Sequence, residues 1–183
     1  MKVIFLDRDG VINTFPGRGN YVTGARSFSF LPGSIEAVKK FNEHGFKVFV
    51  VSNQSGVAKG IYSQKDLDAI DKKMRSGLKK KKAFLDGIYY CTHGSGEGCS
   101  CRKPKTGMLE AALKDSKGSL ERSFFIGDSF VDIETAKNFG AHPVLVLSGR
   151  EKLSGSGDWP CQPEYVFDNL LLASYYLCAH YGR

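Results

Sequence analysis

The sequence lacks any apolar run close to the roughly 20 residues that a membrane-spanning helix requires, so a helical membrane protein is excluded. It also lacks internal repeats and low-complexity tracts. There is no room for a secretory leader, because Met1-Lys2 runs at once into an apolar segment, and residence in the cytoplasm is the resulting expectation. Acidic residues are the scarcer sign: 19 Asp and Glu stand against 26 Lys and Arg, a net charge of +7 that raises nucleic acid as a partner. The excess is local, however. Lys79 to Lys82 fall at the end of an expected helix, where cations complement the dipole, and a solvated helix end accounts for them. A second basic group, Arg102, Lys103 and Lys105, lies among site candidates and points to a small anionic substrate. With 183 residues, 42% hydrophobic and 25% charged, the chain reads as one soluble domain over residues 1–183, expected to be a monomer.

What is present is organised around residues 3 to 13, Val-Ile-Phe-Leu-Asp-Arg-Asp-Gly-Val-Ile-Asn. The apolar run Val3 to Leu6 reads as a buried strand that delivers Asp7 and Asp9 where it ends, and Gly10 lets the chain turn. Two carboxylates this close repel unless a proton or a cation lies between them, which points to a hard, oxygen-ligated metal such as Mg²⁺. A capping Asp beside a turn Asp is the plainer alternative. An EF-hand is excluded, since the further ligand positions, the closing Glu and the preceding helix are missing.

Along the chain, residues 14 to 32 are rich in Gly, Pro and Ser and read as a long ordered loop beside the site. Ser34 is expected to cap a helix that Gly45 ends, and Phe46 to Val51 to form a strand running into Ser52-Asn53-Gln54. Ser63 and Asp66 make a capping box for a helix with Leu67, Ile70, Met74 and Leu78 inward. Strands are expected over residues 85–90, 123–126 and 143–147, an edge strand over 165–167 and a last helix from Asn169, with a Gly/Ser-rich loop, after Ser148, around Trp159. Strand-helix alternation of this kind predicts an α/β fold with a mostly parallel sheet and helices on both faces. Ligands bind at the carboxyl ends of such strands, which brings Ser52 and Asn53 beside Asp7. The fourth strand leads to Gly127-Asp128-Ser129-Phe130-Val131-Asp132. Asp128 can complete a metal cage with Asp7 and Asp9, the last through its backbone carbonyl, while Asp132 orients or braces it.

Cys91, His93, Cys99 and Cys101 fall within eleven residues. Three thiols and an imidazole make a closed tetrahedral set for structural Zn²⁺, pinning a loop in which Gly94, Gly96 and Gly98 leave little core. The C-x-H and C-x-C spacings are tighter than those of zinc fingers. A disulfide is the competing reading, which a reducing compartment disfavours. Cys161 and Cys178 read as free thiols. After this loop, Pro104 and Gly107 set a turn that aims Arg102, Lys103 and a helix N-terminus at an anion.

Together these pieces describe phosphoryl transfer to a carboxylate: Asp7 as nucleophile, Asp9 as acid and then base, and Lys103, Ser52 and the Asn53 backbone on the phosphoryl oxygens. Asp-x-Asp-Gly, the Ser-Asn after the second strand, the Lys of Arg-Lys-Pro-Lys and Gly-Asp-x-x-x-Asp resemble, in order, the four motifs of haloacid dehalogenase (HAD) superfamily phosphatases. Asp-Arg-Asp-Gly-Val-Ile-Asn, Ser-Asn-Gln-Ser-Gly-Val-Ala-Lys-Gly and the Cys-x-His/Cys-x-Cys-Arg-Lys-Pro-Lys block resemble its histidinol-phosphatase/heptose-bisphosphatase family, over roughly residues 1 to 150. The resemblance implies a three-layer Rossmann-like domain without a separate cap, catalytic Mg²⁺ on Asp7, Asp9 and Asp128, structural Zn²⁺, and substrate contacts from Arg102, Lys103, Asn53 and Gln54. It implies a phosphomonoesterase acting on the C7 phosphate of D-glycero-D-manno-heptose 1,7-bisphosphate, on the route to nucleotide-activated heptose. Basic residues at two places, Arg102 with Lys103 and Arg18 or Lys59 in the flanking loops, would suit a substrate with two phosphates. Histidinol phosphate is the alternative substrate, followed by a 3′-phosphorylated polynucleotide; a non-catalytic zinc-stabilised nucleic-acid-binding module is the alternative outside enzymes. Ser129 departs from the Lys that many members carry, and the zinc loop is shorter than in several of them.

Overall fold

The structure, a computed structural model, describes residues 1–152 and 159–182. Six strands, β1 (Lys2–Leu6), β2 (Phe46–Asn53), β3 (Gly87–Cys91), β4 (Ser123–Gly127), β5 (His142–Val146) and β6 (Tyr165–Phe167), form one sheet in the order β3-β2-β1-β4-β5-β6. Every pairing is parallel. The order reverses at β1, whose two neighbours β2 and β4 pass on to opposite edges, and such a switch point opens a crevice at the strand ends.

Both faces of the sheet are covered, which is why the strands read as unbroken apolar runs rather than alternating ones. Ile4 and Leu6 of β1 point into one core with Val38 and Phe41 of α1 (Ser34–Glu43), Ile70, Met74 and Leu78 of α2 (Gln64–Lys80) and Leu170 and Leu177 of α5 (Leu170–Tyr181). Val3 and Phe5 point the other way, against Met108, Leu109 and Ala112 of α3 (Gly107–Ser116) and Ala136 of α4 (Phe130–Phe139). The three-layer Rossmann-like arrangement is therefore as expected, and no helix among the described residues is long and apolar enough to cross a membrane.

Local signals were mostly read correctly. The Ser63 hydroxyl accepts from the Asp66 N–H while the Asp66 carboxylate accepts from the Ser63 N–H, the reciprocal capping box. Gly140 closes α4 with a φ of 84°, and the Asn169 side chain caps α5. Ser34 is a correction: it is the first residue of α1, its hydroxyl donates to the Leu31 carbonyl, and the cap position belongs to Gly33, whose φ of 77° makes the turn. Strand limits shift by one or two residues, and β2 continues to Asn53, so Ser52 and Asn53 are strand residues paired with Tyr90 and Cys91 of β3. Residues 14–32 contain no helix or strand beyond the isolated bridge of Asn13 to Phe30, yet Val22 and Phe28 anchor them in the core. Of the Gly/Ser-rich loop expected around Trp159, residues 153–158 lie outside the described residues.

Candidate active site and candidate metal centres

Asp7 follows β1 directly, and its N–H donates to Ile126 O of β4 at 3.0 Å, so its position is set by the middle of the sheet. Asp128 follows β4. Its carboxylate lies against Gly10 and Gly149, where a Cβ on either glycine would collide with it; Gly10 also has a φ of 89°, open to glycine at little strain. The Arg150 N–H donates to Asp128 Oδ2 at 2.7 Å, tying the chain after β5 into the same corner. Asp132, on the first turn of α4, completes a buried group with Asp7 and Asp128 whose carboxylate oxygens lie within 4.8 Å of one another.

Three carboxylates in one buried corner need positive charge, and one cation is built in. Lys103 Nζ donates to Asp132 Oδ1 at 2.5 Å, to Asp7 Oδ1 at 2.9 Å and to Val51 O at 3.1 Å. Burial works against its charge, but Asp132 and Asp7 more than offset it and hold the ammonium protonated. One cation does not balance three anions. Burial, with Asp7 and Asp132 close by, pushes the Asp128 carboxyl up to about 8, a mark of a corner two positive charges short. A hard divalent cation fits this donor set, with Asp7 and Asp128 the carboxylates open to it while Asp132 is engaged by Lys103 and by the Ser129 hydroxyl at 2.6 Å.

These groups line a cleft of about 280 Å³ with Asp9, Phe15, Ser52, Asn53, Arg102 and Arg150. A larger and more apolar hollow of about 370 Å³, around Phe30, Ile35 and Lys81, contains none of the candidate residues. The candidate residues lie on the smaller, polar cleft. Arg102 sits on its rim with one guanidinium nitrogen 3.2 Å from His93 O. The Asn53 side chain is used differently from a substrate contact: its amide and the Lys103 backbone exchange two hydrogen bonds of 3.0 and 3.1 Å, clamping the lysine's chain to the end of β2. Gln54 does not line the cleft at all. It is 2% exposed, accepts from the Tyr62 hydroxyl at 2.6 Å, and donates to Asp9 and Ser52 at 3.2 Å each. Asp9 itself points into the cleft but outside the three-carboxylate group, held by Arg8, Asn13 and Gln54.

The second cluster lies on the loop after β3. Cys91 Sγ is 3.6 Å from His93 Nδ1 and 3.7 Å from Cys99 Sγ, and His93 Nδ1 is 3.3 Å from Cys101 Sγ. Tetrahedral Zn²⁺ with bonds of about 2.3 Å to sulfur and about 2.0 Å to nitrogen sets ligand separations of roughly 3.5–3.8 Å, which these four atoms approach. All five cysteines are free thiols, so the disulfide alternative is not realised. Burial pushes the Cys91 thiol up to about 12, whereas backbone N–H donors and the neighbouring thiols outweigh burial at Cys99 and bring it down to about 7. One thiol is thus poised to ionise beside others that need a metal to do so.

Comparison with known proteins agrees with this geometry. Residues 100–173 match the HAD-hydrolase-like family model. The chain is 38% identical over 170 residues, 93% of its length and 95% of the relative's, to the D-glycero-beta-D-manno-heptose-1,7-bisphosphate 7-phosphatase of Pseudomonas putida. It is 41% identical to the Helicobacter pylori enzyme of the same name, over 80% of this chain and 83% of that one. The chain belongs to the HAD-type heptose-bisphosphate phosphatase family. Among solved structures, the D,D-heptose 1,7-bisphosphate phosphatase of B. bronchiseptica, complexed with magnesium and phosphate, superposes with a TM-score of 0.89 at 32% identity, covering 98% of this chain and 99% of that one.

Within this phosphatase, the structure brings Asp7, Asp9, Ser52, Asn53, Arg102, Lys103 and Asp128 to one cleft. Arg18 and Lys59, considered for a second phosphate, are not on its lining: Arg18 pairs with Glu151 at 3.3 Å and Lys59 with the Tyr21 hydroxyl at 2.9 Å. Arg150, by contrast, is on the lining. Arg150 and the brace of Arg8, Asn13 and Tyr62 were missed. Arg8 lies inside the motif already singled out, between its two carboxylates, and that place was the available signal. Tyr62 and Arg150 carry no such mark in sequence.

Proposed function

We propose that the protein is a Mg²⁺-dependent phosphatase that removes the C7 phosphate of D-glycero-D-manno-heptose 1,7-bisphosphate through an aspartyl-phosphate. The observation that carries the chemistry is the buried Lys103 bridging Asp7 and Asp132 next to Asp128. It holds the Asp7 carboxylate on the cleft with its charge partly balanced. The family supports the choice of substrate.

Asp7 attacks the phosphorus, and the bond from phosphorus to the sugar oxygen breaks as Asp9 gives that oxygen a proton. Water then attacks the aspartyl-phosphate; its proton passes to Asp9, the Asp7–phosphorus bond breaks, and both carboxylates return to their starting states. Lys103 and the Ser52 hydroxyl stand where charge develops on the phosphoryl oxygens. Held by Asp7, Asp128 and the backbone carbonyl of Asp9, Mg²⁺ would supply further neutralisation of those oxygens. Cys91, His93, Cys99 and Cys101 would hold structural Zn²⁺ and so fix the loop that leads into Arg102 and Lys103. Arg102 and Arg150, on the cleft lining, are suited to the second phosphate of a bisphosphate.

The test is a comparison of kcat/KM, with Mg²⁺ present, on the heptose bisphosphate, histidinol phosphate and a 3′-phosphorylated oligonucleotide. Preference for the bisphosphate is expected. Preference for either of the others overturns the substrate, and turnover that survives Asp7→Asn overturns the mechanism.

A further inference from the structure

The largest fully buried side chain among the described residues is a charged one, and the reaction as described does not use it. Arg8 is 0% exposed and does not line the cleft, so it touches neither substrate nor the acidic corner. Its Nε and Nη2 reach Asp9 Oδ1 at 3.1 and 3.0 Å, and Nη2 also reaches Asp9 Oδ2 at 3.0 Å. Behind it, the guanidinium lies 5.6 Å from the Tyr90 ring centre, and the Tyr90 hydroxyl donates to Asp71 at 2.6 Å. Nη1 is buried with no hydrogen-bond partner among the described residues.

As a stability device this is poor. A buried ion pair returns little against apolar residues of the same volume, and an unmatched buried N–H is a further penalty. What a guanidinium does supply is direction, since its planar fork fixes the orientation of a carboxylate in a way the single ammonium of Lys cannot. The remaining donors act on the same group. Asn13 Nδ2 meets Asp9 Oδ1 at 2.9 Å, and Gln54 Nε2 meets Asp9 Oδ2 at 3.2 Å while the Tyr62 hydroxyl fixes Gln54 from behind at 2.6 Å.

We propose that Arg8 is a positioning residue for Asp9, holding its carboxylate in the plane from which it transfers a proton to the leaving oxygen, with Gln54 and Tyr62 as a second brace. The proposal rests on the reading of Asp9 as acid and base.

Leaving-group dependence tests it. A sugar alkoxide needs a proton to depart, whereas p-nitrophenolate departs without one, so a displaced acid harms only the first. For Arg8→Met, kcat/KM on the sugar bisphosphate is expected to fall about 10²-fold and on p-nitrophenyl phosphate less than about fivefold, with Tm lowered because Asp9 loses its cation. Arg8→Lys is expected to fall between wild type and Arg8→Met on the sugar substrate alone, and serves should the Met variant fail to fold. Equal losses on both substrates, or no loss on either, overturn the proposal. Asp9→Asn separates the two readings: if it shows no leaving-group selectivity, the role of Asp9 falls and the Arg8 proposal with it. If Asp9→Asn is selective and the Arg8 variants are not, only the Arg8 proposal falls.

Discussion

The two ligand clusters differ in what holds them. Asp7, Asp128 and Asp132 are all buried, placed by β1, β4 and α4, and braced by Lys103. In the Cys91, His93, Cys99 and Cys101 group only Cys91 is buried; His93 is exposed and the other two are half-buried on a glycine-rich loop. In the first, the fold builds a strained site that a metal relieves. In the second, a metal would build the local fold, because the loop has too little apolar surface to order itself. With the metals proposed, the first cluster would keep its shape on losing its ion, while the second would not.

The sharpest way to break this contrast is at Asp7. Asp7→Asn removes the attacking carboxylate and should lower kcat by on the order of 10⁴-fold or more, yet it also removes one of the charges that raise Asp128, so the melting temperature of the metal-free variant should not fall. A drop in Tm comparable to that of a core cavity would show that the carboxylate group is structural after all. Next, Cys101→Ser should loosen the loop two residues before Lys103 and lower kcat/KM by about 10²-fold through misplacement of that lysine. Limited proteolysis should then cut within residues 92–101 while circular dichroism stays unchanged; an uncut loop would argue against zinc as its support.

A finer test uses pH. In the metal-free protein Asp128 titrates near 8, above its unfolded value, so its protonated form contributes stability at low pH that is lost as pH rises through about 8. Mg²⁺ requires the ionised carboxylate, and the thermal shift it produces should be larger at about pH 9 than at about pH 6. An equal shift at both would mean that Asp128 is not a ligand. The smallest expected effect is the control: replacing Lys79, Lys80, Lys81 and Lys82, all exposed, by Gln should leave KM for the bisphosphate unchanged. A several-fold rise would move the substrate towards a larger polyanion.

The strand ends were the legible part of this protein. Apolar runs stopping at Asp7, Ser52, Cys91 and Asp128 announce a parallel sheet with its chemistry at one rim, because a strand covered on both faces has nowhere else to put polar groups. Glycine and capping signals located helix ends to within a residue or two, with Gly33 displacing Ser34 because only the turn itself revealed which residue carried a positive φ.

Sequence by itself settled which residue types meet: carboxylates with one lysine, thiols with one imidazole, in an order and spacing that a parallel sheet must bring to the same side. Only the tertiary structure decided how they share the work. Whether Asn53 faces a substrate or the Lys103 backbone, whether Gln54 contacts the cleft or braces Asp9, and whether Arg150 or Arg18 reaches the lining depend on side-chain directions. Those directions are set by contacts between residues distant along the chain, and local patterns of polarity carry no record of them.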